Sequence, residues 1–513
     1  MLNGRLYRAA FVPFVFALAV AAFSLTGRVS PMTSTLAPDA FEGARAFAET
    51  NALAREFPSR RPGSRGDRAL AEYVAGALRG LGGTAGGGFQ VHTHEFSAQT
   101  IDGERTLSTI VAQRPGATGA SPIVIVAHRD AAGGGGARAE LSGTAALLEL
   151  ARVFAARETQ RTIILVSTSG GSGGDAGASD FAARYGAPVD AAIVLGDLAG
   201  TRSRKPFVVP YSDAAGSAAS ELQRTLQDAI GQETGGDPGS PSGFGQLAHL
   251  ALPLTVGEQG PFDAAGIPAV LVQTDGERGP TASQPISEAR LEAFGRAVLS
   301  AVDALDTGPN VPRAAASGLS IQKQTIPAWA LRLLIGTLLL PPLVVVADGL
   351  ARARRRRLPV ARWSLWTLLC AAPFLLAAVF AMLLGALGII AAAPGDLPPP
   401  ASLSFGASQA ATVLAVLLVL ALAWLLWPML VHRLGMRARP QSDAAGVAMM
   451  LVLLPIAVVV WIVNPLTALL LLPALHIWLL LASPELRPRP LAALALLLVG
   501  LVPLVLLSGF YAA

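Results

Sequence analysis

Long runs of apolar residues constrain this chain more than any other feature. A helix needs about 20 largely apolar residues to cross the hydrocarbon core of a bilayer. The sequence has one such run at 6–25 and a succession of them at 326–348, 364–392, 409–431, 443–463, 465–482 and 491–511. Charged residues make up only 14% of the 513 residues, against about 25% in soluble globular chains, and the deficit sits in these runs. The expected organisation is an N-terminal transmembrane anchor (1–28), an extracytoplasmic domain (29–312), a linker (313–325) and an all-α polytopic membrane domain of about six helices (326–513).

The first run is longer than the apolar core of a cleaved secretion signal, about 7–15 residues, and Thr26-Gly27-Arg28 makes a poor cleavage site. A retained anchor is therefore expected. Orientation follows the basic connections. Arg352, Arg354, Arg355, Arg356, Arg357 and Arg362 lie in one, Arg433, Arg437 and Arg439 in a second, and Arg487 and Arg489 in a third. The alternate connections, 393–408 and Asn464-Pro465, hold no Lys or Arg. This pattern predicts a multi-pass protein of the cytoplasmic membrane, with the lipid bilayer as partner and residues 29–325 on the extracytoplasmic side. The net charge of +5 is then a topology signal, and nucleic acid is not an expected partner. Cys370, the single cysteine, lies in an apolar run, which excludes an intrachain disulfide and a thiolate zinc site. His476 is expected to bond a neighbouring helix. The absence of a ladder of intramembrane acids argues against ion-coupled transport.

Between the apolar runs, periodicity alternates between strand and helix. Helical patterns are expected within 40–81, with a turn at Arg61-Pro62-Gly63-Ser64 and a glycine stop at Gly80-Leu81-Gly82-Gly83. They are expected again at 141–156, 175–185, 218–230 and 286–305. Phe89 to Phe96 and Ser108 to Ala112 alternate as strands do, and 122–127, 162–167, 191–195 and 269–273 are continuous apolar runs suited to strands buried on both faces. This order predicts an α/β ectodomain with a mostly parallel central sheet. Ligands in such folds sit at the carboxyl ends of strands, which singles out His128, the 167–177 loop and Asp197. The Gly/Ser-rich stretch 231–245 is expected as a surface loop, and Arg60, Arg61, Arg65, His92 and His94 as solvated side chains.

Several motifs follow one another in a set order. They are Arg61-Pro62-Gly63-Ser64; Ile123 to Asp130, ending His128-Arg129-Asp130; Gly136-Ala137 with Ser142-Gly143-Thr144-Ala145; Gly170, Gly174 and Gly177; Asp197-Leu198-Ala199-Gly200; and Pro261-Phe262 with Gly266-Ile267-Pro268-Ala269. Through them residues 45–305 resemble the M28 family of zinc aminopeptidases, as a degenerate, membrane-anchored member. The resemblance implies a phosphorylase/hydrolase-type fold and a metallopeptidase site. That site holds two zinc ions by two His, two Asp and one Glu, with a second Glu as general base on the bridging water.

Carried over position by position, the resemblance makes His128 and Asp197 residual metal ligands and Asp130 the partner that orients His128. It places the bridging aspartate at Ala139, the general base at Gly171 and the adjacent glutamate ligand at Ser172. No histidine occurs between His249 and His432 to supply the last ligand. A catalytic zinc needs at least three protein ligands, so zinc is not expected, nor is any other cofactor. The implied function is that of a pseudoenzyme, a binding or scaffolding module for a peptide or protein partner. The alternative is a membrane-anchored zinc aminopeptidase with a rearranged site recruiting Glu140, Asp175, His249 or Glu258.

Overall fold

The computed structural model describes residues 3–27, 29–82, 88–133, 137–185, 188–214, 216, 219–281, 283–312, 318–321, 324–390, 406–435, 443–482 and 489–512. Arg28, Gly83, Gly136, Arg437, Arg439, Arg487, linker residues 313–317, 322 and 323, and most of the connection 393–408 lie outside the described residues. Contacts divide the chain into two compact units. Gly27–Ser317 falls in one; Met1–Thr26, Gly318–Ala392 and Ser404–Ala513 fall in the other.

The first unit is built on seven strands: β1 (Gln90–Thr100), β2 (Gly103–Arg114), β3 (Ile123–His128), β4 (Ile163–Thr168), β5 (Ala191–Leu195), β6 (Val208–Val209) and β7 (Ala269–Val272). Their order is β1-β2-β4-β3-β5-β7-β6. The four central strands β4, β3, β5 and β7 run parallel. β1, β2 and β6 join antiparallel, so the sheet is mixed and the mostly parallel expectation holds only for its centre. The reason is local. Only two residues separate β1 from β2, enough for a hairpin but not for the crossover that a parallel pair requires.

Ile123 to Ala127 are wholly buried, and the pleat divides them. Ile123, Ile125 and Ala127 pack in one core cluster, Val124 and Val126 in another. A continuous apolar strand thus serves two layers at once. The helices are α1 (Gly43–Glu56), α2 (Arg65–Gly80), α3 (Arg138–Ala155), α4 (Ala176–Arg184), α5 (Ser220–Thr234), α6 (Gly243–Ala251), α7 (Gln259–Ala264) and α8 (Glu288–Thr307). The larger core cluster draws on α1, α2, α3, α5 and α8, the smaller on α4 and α7. Part of the stretch expected as a loop at 231–245 is therefore helical, at the end of α5 and the start of α6.

Among the described residues of the other unit, six helices are long and apolar enough to cross a membrane: Gly4–Phe23, Ala328–Arg355, Val360–Ala386, Ala407–Arg433, Ala444–Val463 and Pro490–Tyr511. The sixth expected span, 465–482, forms the helix Pro465–Leu481 of 17 residues, about 25 Å at about 1.5 Å per residue, at the short end of the roughly 17–25 residues that cross a bilayer. The helices of the C-terminal part are α9 (Ala328–Arg355), α10 (Val360–Leu369), α11 (Ala372–Ala386), α12 (Ala407–Arg433), α13 (Asp443–Val463), α14 (Pro465–Leu481) and α15 (Pro490–Ala512). His476 of α14 bridges two other helices, with Nε2 3.0 Å from the Leu338 carbonyl and Nδ1 2.7 Å from the Tyr7 hydroxyl. Both ring nitrogens are thereby used in structural bonds.

Candidate functional site

The candidate site forms where the parallel strands end. His128 is the last residue of β3, Thr168 ends β4, and Asp197 follows β5 by two residues. A cavity of about 110 Å³ opens there, lined by His128, Glu140, Gly171, Asp197, Glu258 and Glu277 among others. The strand-end rule thus brings His128, the 170–172 turn and Asp197 to one place. The first turn of α3 adds Glu140, and the residue before α7 adds Glu258.

Arg60 and Arg129 hold the floor of the site. Arg60, expected in solvent, is 1% exposed. Its guanidinium donates to the carbonyls of Arg129 at 2.9 Å and Ala137 at 2.8 Å, tying the end of β3 to the start of α3. Ala137 itself sits at φ 34°, a left-handed conformation that costs a non-glycine residue about 1–3 kcal/mol. Arg129 pairs with Asp67 at 2.9 Å and donates to the carbonyls of Ser167 and Ser108. Arg61 pairs with Asp102 at 2.6 Å. The turn expected at 61–64 forms, with the Ser64 amide donating to the Arg61 carbonyl at 2.9 Å, and Arg61 and Arg65 keep solvent contact; the solvated expectation fails for Arg60 alone, whose guanidinium hydrogen bonds are invisible in sequence. Ser142 is not the cap of α3. Its hydroxyl points back to the Ala139 carbonyl and lies 3.2 Å from Asp197 Oδ1.

Asp130 lies behind the 170–172 turn. Its carboxylate accepts from the amides of Gly170, Gly171 and Ser172 at 2.9, 3.2 and 3.1 Å, and also from the Ser172 hydroxyl. It therefore fixes that turn, and no hydrogen bond joins it to His128 among the described residues. Asp197 is equally committed. Oδ1 accepts from the amides of Ala199 and Gly200 at 2.9 and 2.7 Å, and Oδ2 from Thr274 Oγ1 at 2.9 Å and Gln284 Nε2 at 3.1 Å. Burial still pushes its carboxyl up to about 6.

The glutamates behave differently. Thr168 Oγ1 donates to Glu258 Oε1, while Oε2 is buried with no hydrogen-bond partner among the described residues and lies 3.9 Å from His128 Nδ1. Glu140 Oε2 is likewise buried without a hydrogen-bond partner among them. Desolvation pushes both carboxyls up to about 8. Burial also lowers the His128 imidazole, an effect that the Asp130 charge opposes. Near neutral pH Glu140, Glu258 and His128 therefore present uncharged hydrogen-bonding groups, on a wall that also carries Asp197, Glu277 and Arg278.

Gly171 explains why the glutamates came to matter. A Cβ built there would stand 2.5 Å from His128 Cβ, 2.8 Å from His128 Cγ and 3.0 Å from Glu258 Cδ. Glu258, from the far end of the domain, fills the volume that a side chain at position 171 would need. Sequence reasoning named Glu258 only as one conceivable substitute. Its place between Thr168 and Gly171 depends on how β4 and α7 come together.

The donor set does not fit a pair of zinc ions. Ala139 offers a methyl group and Gly171 none, Ser172 bonds Asp130, and both Asp197 oxygens are occupied. Zinc–ligand bonds of about 2.0–2.2 Å bring neighbouring donor atoms close to one another. Among the described residues no three His, Cys, Asp or Glu side chains converge in that way. His249, a candidate substitute, is engaged elsewhere, with Nδ1 2.8 Å from the Leu254 carbonyl and Nε2 2.7 Å from Glu277 Oε2. Asp175 is buried at the N-terminal end of α4.

The first unit is an α/β domain carrying a buried acidic pocket at its strand ends, and the chain resembles the peptidase M28 family. Residues 109–282 match the family model described as Peptidase family M28. A probable zinc metalloprotease of Pyricularia oryzae is 29% identical over 199 residues, which cover 35% of this chain and 39% of that protein. The chain thus spans about two fifths of the length of this relative. Among solved structures, the glutaminyl cyclase of Fimbriiglobus ruber aligns at 18% identity and a TM-score of 0.41, covering 53% of this chain and 96% of that one. A leucine aminopeptidase precursor from Bacteroides thetaiotaomicron aligns at 15% identity and a TM-score of 0.40, covering 54% and 100%.

Proposed function

We propose that this is a multi-pass protein of the cytoplasmic membrane whose M28-like domain binds a peptide or partner protein without hydrolysing it. In this reading residues 29–325 face the extracytoplasmic side, which the placement of the basic connections supports, and the bilayer holds the helical unit. One observation carries the non-hydrolytic reading. The position where the family resemblance puts the general base is a glycine whose side-chain volume is already taken by His128 and Glu258. Without a base and without a converged ligand set, no activated water attacks a peptide carbonyl. The same pocket suits recognition. Its uncharged carboxyl and imidazole groups can donate to and accept from peptide amides, in a cleft with apolar walls such as Val194, Val256 and Leu271.

The test uses the full chain in detergent, exposed to excess zinc and then dialysed. Metal analysis is expected to find far less than one zinc per chain, and a panel of aminoacyl anilides to show no turnover. A screen against an immobilised peptide library is expected to select ligands that Glu258→Gln no longer retains. Stoichiometric zinc with chelator-sensitive hydrolysis would overturn the proposal in favour of a rearranged zinc aminopeptidase.

A further inference from the structure

Helix α9 carries two consecutive prolines, Pro341 and Pro342, in its interior. Proline has no amide proton, so the residue four places earlier loses its helical donor. For Pro342 that residue is Leu338. A carbonyl deprived of its donor in an apolar helix needs another, and side chains of neighbouring helices can supply it. Here the imidazole of His476, from α14, answers the deficit. Its Nε2 stands 3.0 Å from the Leu338 oxygen.

That contact fixes the proton on the ring. A carbonyl oxygen can only accept, so Nε2 carries the hydrogen. In a neutral imidazole Nδ1 is then the acceptor. Nδ1 lies 2.7 Å from the Tyr7 hydroxyl, which therefore donates. The result is a directed chain, from the Tyr7 O–H to Nδ1 and from the Nε2–H to the Leu338 carbonyl. One tautomer satisfies all three groups without a net charge. Aromatic contacts hold the imidazole in place. Its ring centre lies 5.8 Å from that of Tyr7 and 5.7 Å from that of Phe11, and those two rings meet edge to face at 5.2 Å.

The helices joined in this way have a particular place in the chain. Tyr7 belongs to the N-terminal helix Gly4–Phe23, and Leu338 to α9. In sequence these are the two helices that flank the first unit, Gly27–Ser317. The segments at the other ends of these stretches also meet, where Thr26 Oγ1 donates to the Thr325 carbonyl at 3.3 Å. The pair is thus fastened at two levels, and the deeper fastening falls on the proline break.

We propose that His476 stands in for the amide that Pro342 lacks, and that the Tyr7–His476–Leu338 chain is a latch securing the N-terminal helix to α9 through α14. Separating these helices at the break then gives up both hydrogen bonds and leaves the Leu338 carbonyl without a donor. The latch does not depend on what the M28-like domain binds.

The experiment uses the full chain in detergent micelles. With nitrogen-15 histidine, the His476 ring is assigned as the signal missing from His476→Gln. Near neutral pH it is expected to show a protonated Nε2 and an unprotonated Nδ1, and Tyr7→Phe should move the Nδ1 resonance while Nε2 stays protonated. This readout is taken on the wild-type chain and so does not require His476→Phe to fold. Hydrogen exchange gives a second one. His476→Phe is expected to speed exchange in peptides covering residues 334–348 at least fivefold. In a Pro342→Ala background the new amide can donate to Leu338, and the same change is expected to speed exchange less than twofold relative to Pro342→Ala alone. A mere loss of packing at His476 would give equal factors in the two backgrounds. That equality, a ring protonated on Nδ1 and bare on Nε2, or an Nδ1 resonance that Tyr7→Phe leaves unmoved would each overturn the proposal.

Discussion

Gly171→Ala tests the claim that the space beside Gly171 is occupied. The added Cβ would approach His128 Cβ to 2.5 Å and Glu258 Cδ to 3.0 Å, against the roughly 3.5–4.0 Å at which carbon atoms rest. The nearest atoms belong to the start of the His128 side chain, which cannot swing aside without moving β3. Overpacking of that kind costs about 1–3 kcal/mol, or about 5- to 150-fold in an opening equilibrium at about 1.4 kcal/mol per tenfold. Hydrogen exchange on the full chain reads this directly as faster exchange in peptides covering Ile123–His128, whose amides are protected by the central strands. Gly76→Ala is the control. Gly76 lies inside α2, and a Cβ there meets nothing within 4 Å, so the change should slow exchange in α2 by about 0.5–1 kcal/mol. In Gly171→Ala/His128→Gly, exchange should return toward that of His128→Gly alone. If Gly171→Ala leaves the exchange of β3 unchanged, the packing argument is wrong and so is the non-hydrolytic reading built on it.

Asp67→Asn should destabilise the domain by about 3–5 kcal/mol, because it leaves the buried Arg129 charge without its counter-ion at 2.9 Å; the same exchange experiment checks this across α2, β2 and β3. Asp197→Ala should cost about 3 kcal/mol or more, since it strands the amides of Ala199 and Gly200 and the side chains of Thr274 and Gln284. It should change bound zinc not at all, whereas a metal-ligand role would couple the two losses. The pH dependence has a definite sign. Glu258 and Glu140 rise from an ordinary 4.5 to about 8 on folding, so the folded state binds the extra protons. Stability is then greatest below about 4.5 for these groups and falls as pH rises toward about 8. Glu258→Gln should flatten that fall in a series of exchange measurements from pH 5 to 8, and an unchanged slope would contradict the buried, protonated state assigned here.

Much of the architecture was legible in the sequence because it rests on patterns that every residue in a segment shares. The apolar runs marked the long helices, since a span requires about 20 apolar residues in a row. Ile123 to Ala127 marked a doubly buried strand for a similar reason, and the strand-end rule led from there to His128 and Asp197. Boundaries were harder. The spacing placed a helix start near Ser142, whereas α3 begins at Arg138 behind the left-handed Ala137, a turn that no periodicity announces. The antiparallel β1–β2 hairpin was also missed as a departure from a mostly parallel sheet, because pairing direction depends on how strands dock and only weakly on their composition.

The chain by itself also showed where the side chains differ from those the M28 resemblance leads one to expect. Ala139, Gly171 and Ser172 carry no carboxylate. Which side chains replaced them was decided only in three dimensions. Arg60, expected in solvent, is buried and ties β3 to α3. Asp130 clamps the 170–172 turn, and Asp197 spends both oxygens on its own loop. Glu258, 87 residues beyond Gly171 in number, fills that glycine's missing side-chain volume. These are outcomes of long-range packing. A hydrogen bond or a steric contact between residues far apart in the chain has no periodic signature, because its geometry exists only once the strands that carry the two partners have been set side by side.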